Sequence, residues 1–375
     1  MKQKLTDFVK KETVLVIAAI LAVLSAFAVP PDLNYFSYID WRVLGILLSL
    51  MLITAGLQKN GVFDVVGKKL LMHTKNTMQL MAILVFLCFF SSMFITNDVA
   101  LLTFVPFALL ILKKCGQEHL LIPVIVLQTI AANLGSMLTP IGNPQNLYLY
   151  QLSGFGFGEF VLYMLPYAVV AGILLAAAII GLGRKKEVIV MDESCFGKTE
   201  IVLNHKKIAI YLLLFLCSLL VVAHVLPYGA VLILVLVAVA VLDRDVLWQV
   251  DYCLLFTFIA FFIFTGNIGC MEKFQETLEM LVTGRELLAG ILASQCISNV
   301  PAALLLSGFT GNIKGLLLGV NIGGLGTLIA SMASLISYKI YAHNYNRTKG
   351  IYFLWFTISN LIFLFILVLL AVIIS

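Results

Sequence analysis

Asn133-Leu134-Gly135-Ser136-Met137-Leu138-Thr139 and Asn321-Ile322-Gly323-Gly324-Leu325-Gly326-Thr327 spell one pattern, N-x-G-x-x-x-T, without a gap. Each interrupts a stretch, 119–150 or 314–341, that is otherwise long and apolar enough to cross a bilayer. Non-helical backbone at membrane depth is tolerated only where protein buries it or where it lines a wet cavity. Two such breaks with the same spelling therefore mark a site, and the rest of the chain is ordered around them.

Upstream of each break the chain repeats itself twice more. Ile39-Asp40-Trp41 and Val250-Asp251-Tyr252 each open an apolar span that is followed by an amphipathic stretch, from Val62 and over 271–283. An apolar hairpin with a polar tip follows in each half. The tips are Thr96-Asn97-Asp98, within 77–112, and Ser298-Asn299-Val300-Pro301, within 286–311. From Glu286 to Asn299 there is only about 20 Å of helix, too little to cross, so 286–311 is predicted to be re-entrant. The first hairpin is long enough for two full spans as well, an alternative that leaves the parity of the topology unchanged. Three matched features in one order predict an internal repeat. An odd number of crossings between equivalents makes the second half inverted.

The composition requires lipid as solvent. Of 375 residues 62% are hydrophobic and only 11% charged, with a mean hydropathy of +1.07, against roughly 25% charged in a soluble domain. Uninterrupted spans are predicted at 13–30, 42–58, 158–182, 207–223, 226–242, 251–269 and 351–374. The run from Thr13 lacks a small-residue cleavage site and reads as a retained helix. The expected architecture is an all-α membrane protein with about nine transmembrane crossings, two re-entrant helical hairpins and two broken helices. It divides into a first inverted repeat (1–183), a cytoplasmic linker (184–206) and a second inverted repeat (207–375).

Orientation follows from the basic residues. With the N-terminus cytoplasmic, 20 of the 24 Lys and Arg fall inside, leaving Arg42, Lys273, Arg285 and Lys314 outside. The C-terminus is then outside, in a plasma (inner) membrane. The net charge of +5 is spread in short clusters between apolar runs and does not point to nucleic acid. Seven scattered cysteines show no metal or disulfide spacing. The sequence also carries no phosphate-binding GxxxxGK[ST], no HExxH and no GxSxG in a strand–helix context. No enzyme and no cofactor is expected.

What chemistry there is lies at the tips and breaks. Asn97 or Asp98 is expected to cap a half-helix beginning at Val99, Asn299 one in which Pro301 takes a first-turn position, and Asn143 one beginning at Pro144. Such N-termini aim N–H groups and positive dipole ends inward, which suits an anion. Carbonyls freed at the breaks suit Na⁺, a hard cation. Asp98 is the sharpest candidate, since a carboxylate at membrane depth is functional by default. It is open to three roles: proton carrier, Na⁺ ligand or helix cap. Asp40 and Asp251 read as surface caps, with Arg42 a partner for Asp40. Tyr148, Tyr150, Tyr163 and Trp355 read as interfacial or lipid-facing.

At these residues the chain resembles the ion transporter superfamily. More narrowly, it resembles the citrate-transporter-like permeases, which include arsenite pumps, NhaD-type Na⁺/H⁺ antiporters and dicarboxylate/Na⁺ symporters. The motifs are Ile39-Asp40-Trp41 with Leu52-Ile53-Thr54-Ala55-Gly56, Thr96-Asn97-Asp98, Leu138-Thr139-Pro140-Ile141-Gly142-Asn143-Pro144-Gln145-Asn146, Ser298-Asn299-Val300-Pro301 and Val320-Asn321-Ile322-Gly323-Gly324. The resemblance implies a scaffold domain, a moving transport domain, an elevator-like cycle and a homodimer. The dicarboxylate symporters carry Ser-Asn-Thr at both tips, and the last Thr is missing from both tips here. The expected substrate and ion site comprises Thr96, Asn97, Asp98, Asn133, Gly135, Thr139, Pro140, Gly142, Asn143, Ser298, Asn299, Val300, Pro301, Asn321, Gly323, Gly324 and Thr327, with Na⁺ at Asn97, Asp98 and Asn299. The leading expectation is a secondary transporter for a small anion or oxyanion, driven by Na⁺ or H⁺. The alternatives are a cation/proton antiporter and an uncoupled channel subunit.

Overall fold

A computed structural model describes residues 12–72, 74–184, 187–189 and 203–374. Most of the linker, Cys195, His73 and the basic residues Lys2, Lys4, Lys10, Lys11, Lys185, Lys186 and Lys198 lie outside them. Among the described residues the fold is helical, with no strand and one isolated bridge, Asn76 to Val188.

Capping follows the Asn and Asp residues. Asp40 accepts from Val43 N at 2.9 Å to start α2 (Trp41–Lys59), after α1 (Thr13–Ala28). Gly61, at φ 72°, turns the chain into the amphipathic α3 (Val62–Leu71). Asn76 caps α4 (Thr77–Ser91), which leads through the first tip into α5 (Asn97–Lys114). The first broken span is α6 (Leu121–Ser136) followed by α7 (Pro144–Ser153), and α8 (Phe157–Leu182) closes this half. Two apolar helices follow, α9 (His205–Val222) and α10 (Tyr228–Leu242). Asp251 caps α11 (Tyr252–Gly269) through Leu254 N, and α12 (Glu272–Val282) is amphipathic. The second hairpin is α13 (Glu286–Ile297) and α14 (Asn299–Leu306). The second broken span is α15 (Ile313–Gly323) and α16 (Met332–Asn344), before α17 (Lys349–Ile374).

Six of these helices, or seven with the bent pair Gln275–Val282 and Glu286–Ile297 taken as one, are long and apolar enough to cross a membrane. The pair bends by 109°. At 12 residues, α13 is only about 18 Å long.

Packing follows from burial. α6 is the central helix, with 89% of its span window buried, whereas α8 and α17 keep 28% and 22% inside and turn residues such as Leu162, Ile173, Leu354 and Phe365 outward to lipid. The element pairs correspond between halves. α1 packs on α11, and α10 on α2. Both arms of each hairpin pack on the first half of the broken span in their own half, α4 and α5 on α6, α13 and α14 on α15. Each hairpin's second arm also packs on the other half's short helix, α5 on α16 and α14 on α7. Close approach needs glycine. A Cβ on Gly135 would run into Phe89 and Ser92 of the first hairpin, and one on Gly323 into Ile291 and Ser294 of the second. Small residues at such crossings let backbones meet where lipid gives no hydrophobic drive to associate.

At one end of α2, α9 and α10 a charged cluster replaces apolar packing. Asp243, 7% exposed, accepts from Lys207 Nζ at 2.8 Å and pairs with Lys59 at 3.2 Å. Asn60 and the Tyr211 hydroxyl also donate to it, both at 3.3 Å. Arg42 makes no ion pair with Asp40, contrary to expectation. Its guanidinium donates to Val221 O at 3.1 Å, a carbonyl at the end of α9 that also accepts from His224 N, while the Asp40 carboxylate is taken up in capping α2.

Burial alone raises the Asp243 carboxyl, but the bonds from Lys207, Asn60 and Lys59 outweigh it and hold it below the usual carboxylate range. A depressed folded pKa stabilises above the unfolded value, and this stability is lost as pH falls through the folded value. Asp243→Asn is expected to lower the detergent-solubilised melting temperature at neutral pH, by about 1 kcal/mol of stability once the half-exposed lysines are discounted. The gap to wild type should close under acid conditions. Equal melting temperatures at neutral pH would deny the cluster any structural role.

Candidate functional site

The first tip begins at Thr96, whose extended backbone precedes α5. Asn97 N donates to Gly142 O at 3.1 Å, binding the tip to the break beside it. The second tip does the same: Asn299 N donates to Ala330 O at 3.0 Å. Gly142 and Ala330 are equivalent in the register that aligns Asn133 with Asn321, each standing one residue before the residue that opens the short helix, Asn143 or Ser331. The breaks share two further bonds. Gly142 N donates to Thr139 O at 3.3 Å and Ala330 N to Thr327 O at 3.2 Å. The Thr139 hydroxyl donates to Met93 O and that of Thr327 to Gln295 O.

A chain of buried amides runs between the halves. Asn97 Nδ2 donates to Asn133 Oδ1 at 3.0 Å, and Ser331 Oγ donates to the same oxygen at 3.0 Å. Asn133 Nδ2 faces Gly324 O and Ser334 Oγ at 3.4 and 3.5 Å. Asn143 Nδ2 reaches Ser136 Oγ at 3.1 Å and Asn321 Oδ1 at 3.2 Å, and Asn321 Nδ2 donates to Asn146 Oδ1 at 2.6 Å. Asn97, Asn133, Asn143, Asn146, Asn299 and Asn321 are all buried. Buried polar groups in this density hold together only when their partners are satisfied.

Two of the expected caps differ. The helix of the first tip starts at Asn97, so neither Asn97 nor Asp98 caps it from outside. Instead Asn97 Oδ1 turns onto Asp98 N at 3.0 Å, inside the first turn. Asn299 Oδ1 turns onto Val300 N in the same way, also at 3.0 Å. The physical reason is the bond each tip makes to its break, which pulls the Asn backbone into the helix. Ser298 takes the residue before it, at φ 75° and ψ 154°, a region nearly confined to glycine. Pro301 lies in the first turn of α14, and Pro140 in the loop of the first break. Asn143 caps α7 by accepting from Asn146 N at 2.9 Å. Tyr148 is not lipid-facing. It is buried because its hydroxyl pairs with Ser307 Oγ at 2.8 Å and its ring meets Phe258 and Phe262.

Asp98 stands apart from the amide chain. Its Oδ1 is shielded from solvent and has no hydrogen-bond partner. The side chain lines a cavity of about 170 Å³ together with Thr96, Asn143, Gln58, Gln249 and Asp251. The carboxylate of Asp251, read from the sequence only as a cap, thus faces the same space. Larger cavities beside α6, α8 and α17 lie away from the amide chain, and the one between Leu127, Leu174 and Phe363 is lined almost wholly by apolar groups. Gln58, Gln249, Gln295, Ser331 and Ser334 were not singled out by sequence. Gln295 had a signal, as the one amide in the apolar run of α13.

The citrate transporter family matches residues 5–313, and the chain belongs to that family. It is a multi-pass membrane transporter of the citrate/arsenite permease type. An uncharacterized transporter of Methanocaldococcus jannaschii is 33% identical over 82% of this chain and 83% of its own length. The inner membrane protein YbiR of Escherichia coli K12 is 33% identical over 80% of both chains. A silicon efflux transporter of rice matches a shorter part, 31% identical over 36% of this chain and 28% of its own.

Removing Asn133 would orphan Asn97 Nδ2 and Ser331 Oγ in a buried place, at roughly 1–3 kcal/mol each. Asn133→Leu is therefore expected to cost several degrees of melting temperature in detergent. A leucine variant as stable as wild type would mean that the amide chain does not join the halves.

Proposed function

We propose that this transporter carries a small anion or oxyanion through a site between the two hairpin tips and the two breaks, coupled to Na⁺ or H⁺. One observation carries the proposal. A path of hydrogen bonds with the Ala330–Ser331 peptide as its one covalent step, Asn299–Ala330–Ser331–Asn133–Asn97–Gly142, links the starts of α14, α16, α5 and α7. Four positive helix ends meet there, and backbone N–H groups at helix starts favour negative charge. The matched bonds at Gly142 and Ala330 support two inverted repeats, 1–183 and 207–375, with re-entrant hairpins and a linker at 184–206. The cross-packing of α1 on α11 and α10 on α2 supports the same division. Inverted repeats with interrupted helices in corresponding positions put the site near the midplane, with one bundle rocking against the other. In this proposal the N-terminus is cytoplasmic, the C-terminus is outside, the cycle is elevator-like and the working unit is a homodimer.

Asp98 carries the coupling charge. Val300 occupies the equivalent place in the second tip, so one side of the site alone changes charge when a proton or cation binds. The two carboxylates on one cavity wall, Asp98 and Asp251, favour a second function, exchange of a cation for protons.

Asp98→Asn keeps the shape of the side chain and the first-turn position of α5, so the fold is expected to survive. In proteoliposomes supplied with candidate carboxylates and oxyanions, the variant should lose the dependence of uptake on pH or Na⁺. Retention of the wild-type rate, pH profile and Na⁺ response by the variant would remove Asp98 from coupling. Cation-driven proton movement without any anion flux would select the antiporter instead.

A further inference from the structure

A helix broken in a membrane leaves carbonyls without N–H partners, and both breaks here gather theirs around a single point. In the first break the carbonyls of Ser136 and Met137 converge on Asn146 Nδ2, both at 3.2 Å, joined at 3.1 Å by that of Thr139, which also accepts from Gly142 N. In the second, those of Gly323 and Leu325 converge on Gln295 Nε2, both at 2.8 Å, with Ile291 O at 3.4 Å. The orientation of each amide is fixed by chemistry. Carbonyls only accept, so the NH₂ must face them. The amide oxygens are engaged elsewhere, Gln295 Oε1 by Thr327 N at 2.9 Å and Asn146 Oδ1 by Asn321 Nδ2.

A ring of backbone carbonyls closing on one point is also how a protein holds a hard cation. We infer that Asn146 and Gln295 stand where a coupling Na⁺ would sit, so that both breaks are closed to Na⁺ and the transporter works without it. This inference rests on the proposal that tips and breaks form the transport site.

The two amides come from different places. Asn146 belongs to α7, after the break, and the residue equivalent to it in the second half is Ser334. Gln295 belongs to the hairpin arm α13, and its equivalent in the first is Met93. Unrelated positions thus supply a donor to each break, and of the carbonyls they bind only Met137 O and Leu325 O are equivalent. At the tips the Oδ1 atoms of Asn97 and Asn299 are already turned onto Asp98 N and Val300 N. Asp98 Oδ1 is then the oxygen at the tips left without a partner, with Gln145 Oε1 of α7 a second such buried acceptor, and of the two only the carboxylate can take up a proton.

The test compares melting temperatures of the purified protein in NaCl and in choline chloride at equal ionic strength, since a ligand of the native state raises them. Wild type is expected to melt at the same temperature in both. Gln295→Glu and Asn146→Asp each replace the donor with a carboxylate among carbonyls, and either is expected to gain a Na⁺-specific rise of several degrees. A saturable Na⁺ rise in wild type would overturn the inference while leaving anion transport intact, and this holds even if neither variant folds. Folded variants with no Na⁺ response would also overturn it, because the point would then be no cation cage. Loss of the Asp98 coupling role, by contrast, would appear only in the pH profile of transport.

Discussion

Every feature of the site descends from one constraint: a backbone group exposed by breaking a helix inside lipid must find a partner within the protein. Two spans are broken here, and their ends are satisfied by side chains and by the tips of two hairpins. The tips donate Asn97 N and Asn299 N to the breaks. Asn146 and Gln295 donate to the freed carbonyls. An apolar chain without these amides could not sustain the breaks, and without the breaks there would be no inward helix ends and no polar path between the halves.

The same constraint explains why glycine falls where it does. For tip and break to bond, hairpin and broken helix must lie nearly in backbone contact. Gly135 against Phe89 and Ser92, and Gly323 against Ile291 and Ser294, provide that contact. The lipid-facing helices α8 and α17 need no such fit and show none. They are long, mostly outward-turned and held by ordinary apolar packing.

This division also sets what the sequence made legible. Helix positions were readable because lipid demands long apolar runs, and the described helices fall within a few residues of those read from hydropathy alone. The breaks were readable because Asn, Gly and Thr stand out in such runs. The partners within the site were not. That Asn97 would enter its helix and bond to Asn133, or that Asp251 would share a cavity with Asp98, depends on how distant elements meet, which no local spacing encodes. Arg42 illustrates the limit. Its neighbour Asp40 was the obvious partner in sequence, yet the cap of α2 claimed that carboxylate and the end of α9 claimed the guanidinium.

Symmetry in the backbone coexists with asymmetry in chemistry, and the two belong together. The matched bonds at Gly142 and Ala330 need nothing from side chains beyond small size and a well-placed N–H, so they survive sequence divergence. Charge has no such tolerance. A second carboxylate at Val300 would add another unpaired anion to a buried site, at a desolvation cost that the first already incurs. The second tip instead carries its irregularity in the backbone, at Ser298 with φ 75°. One tip therefore holds the titratable group and the other the strained turn.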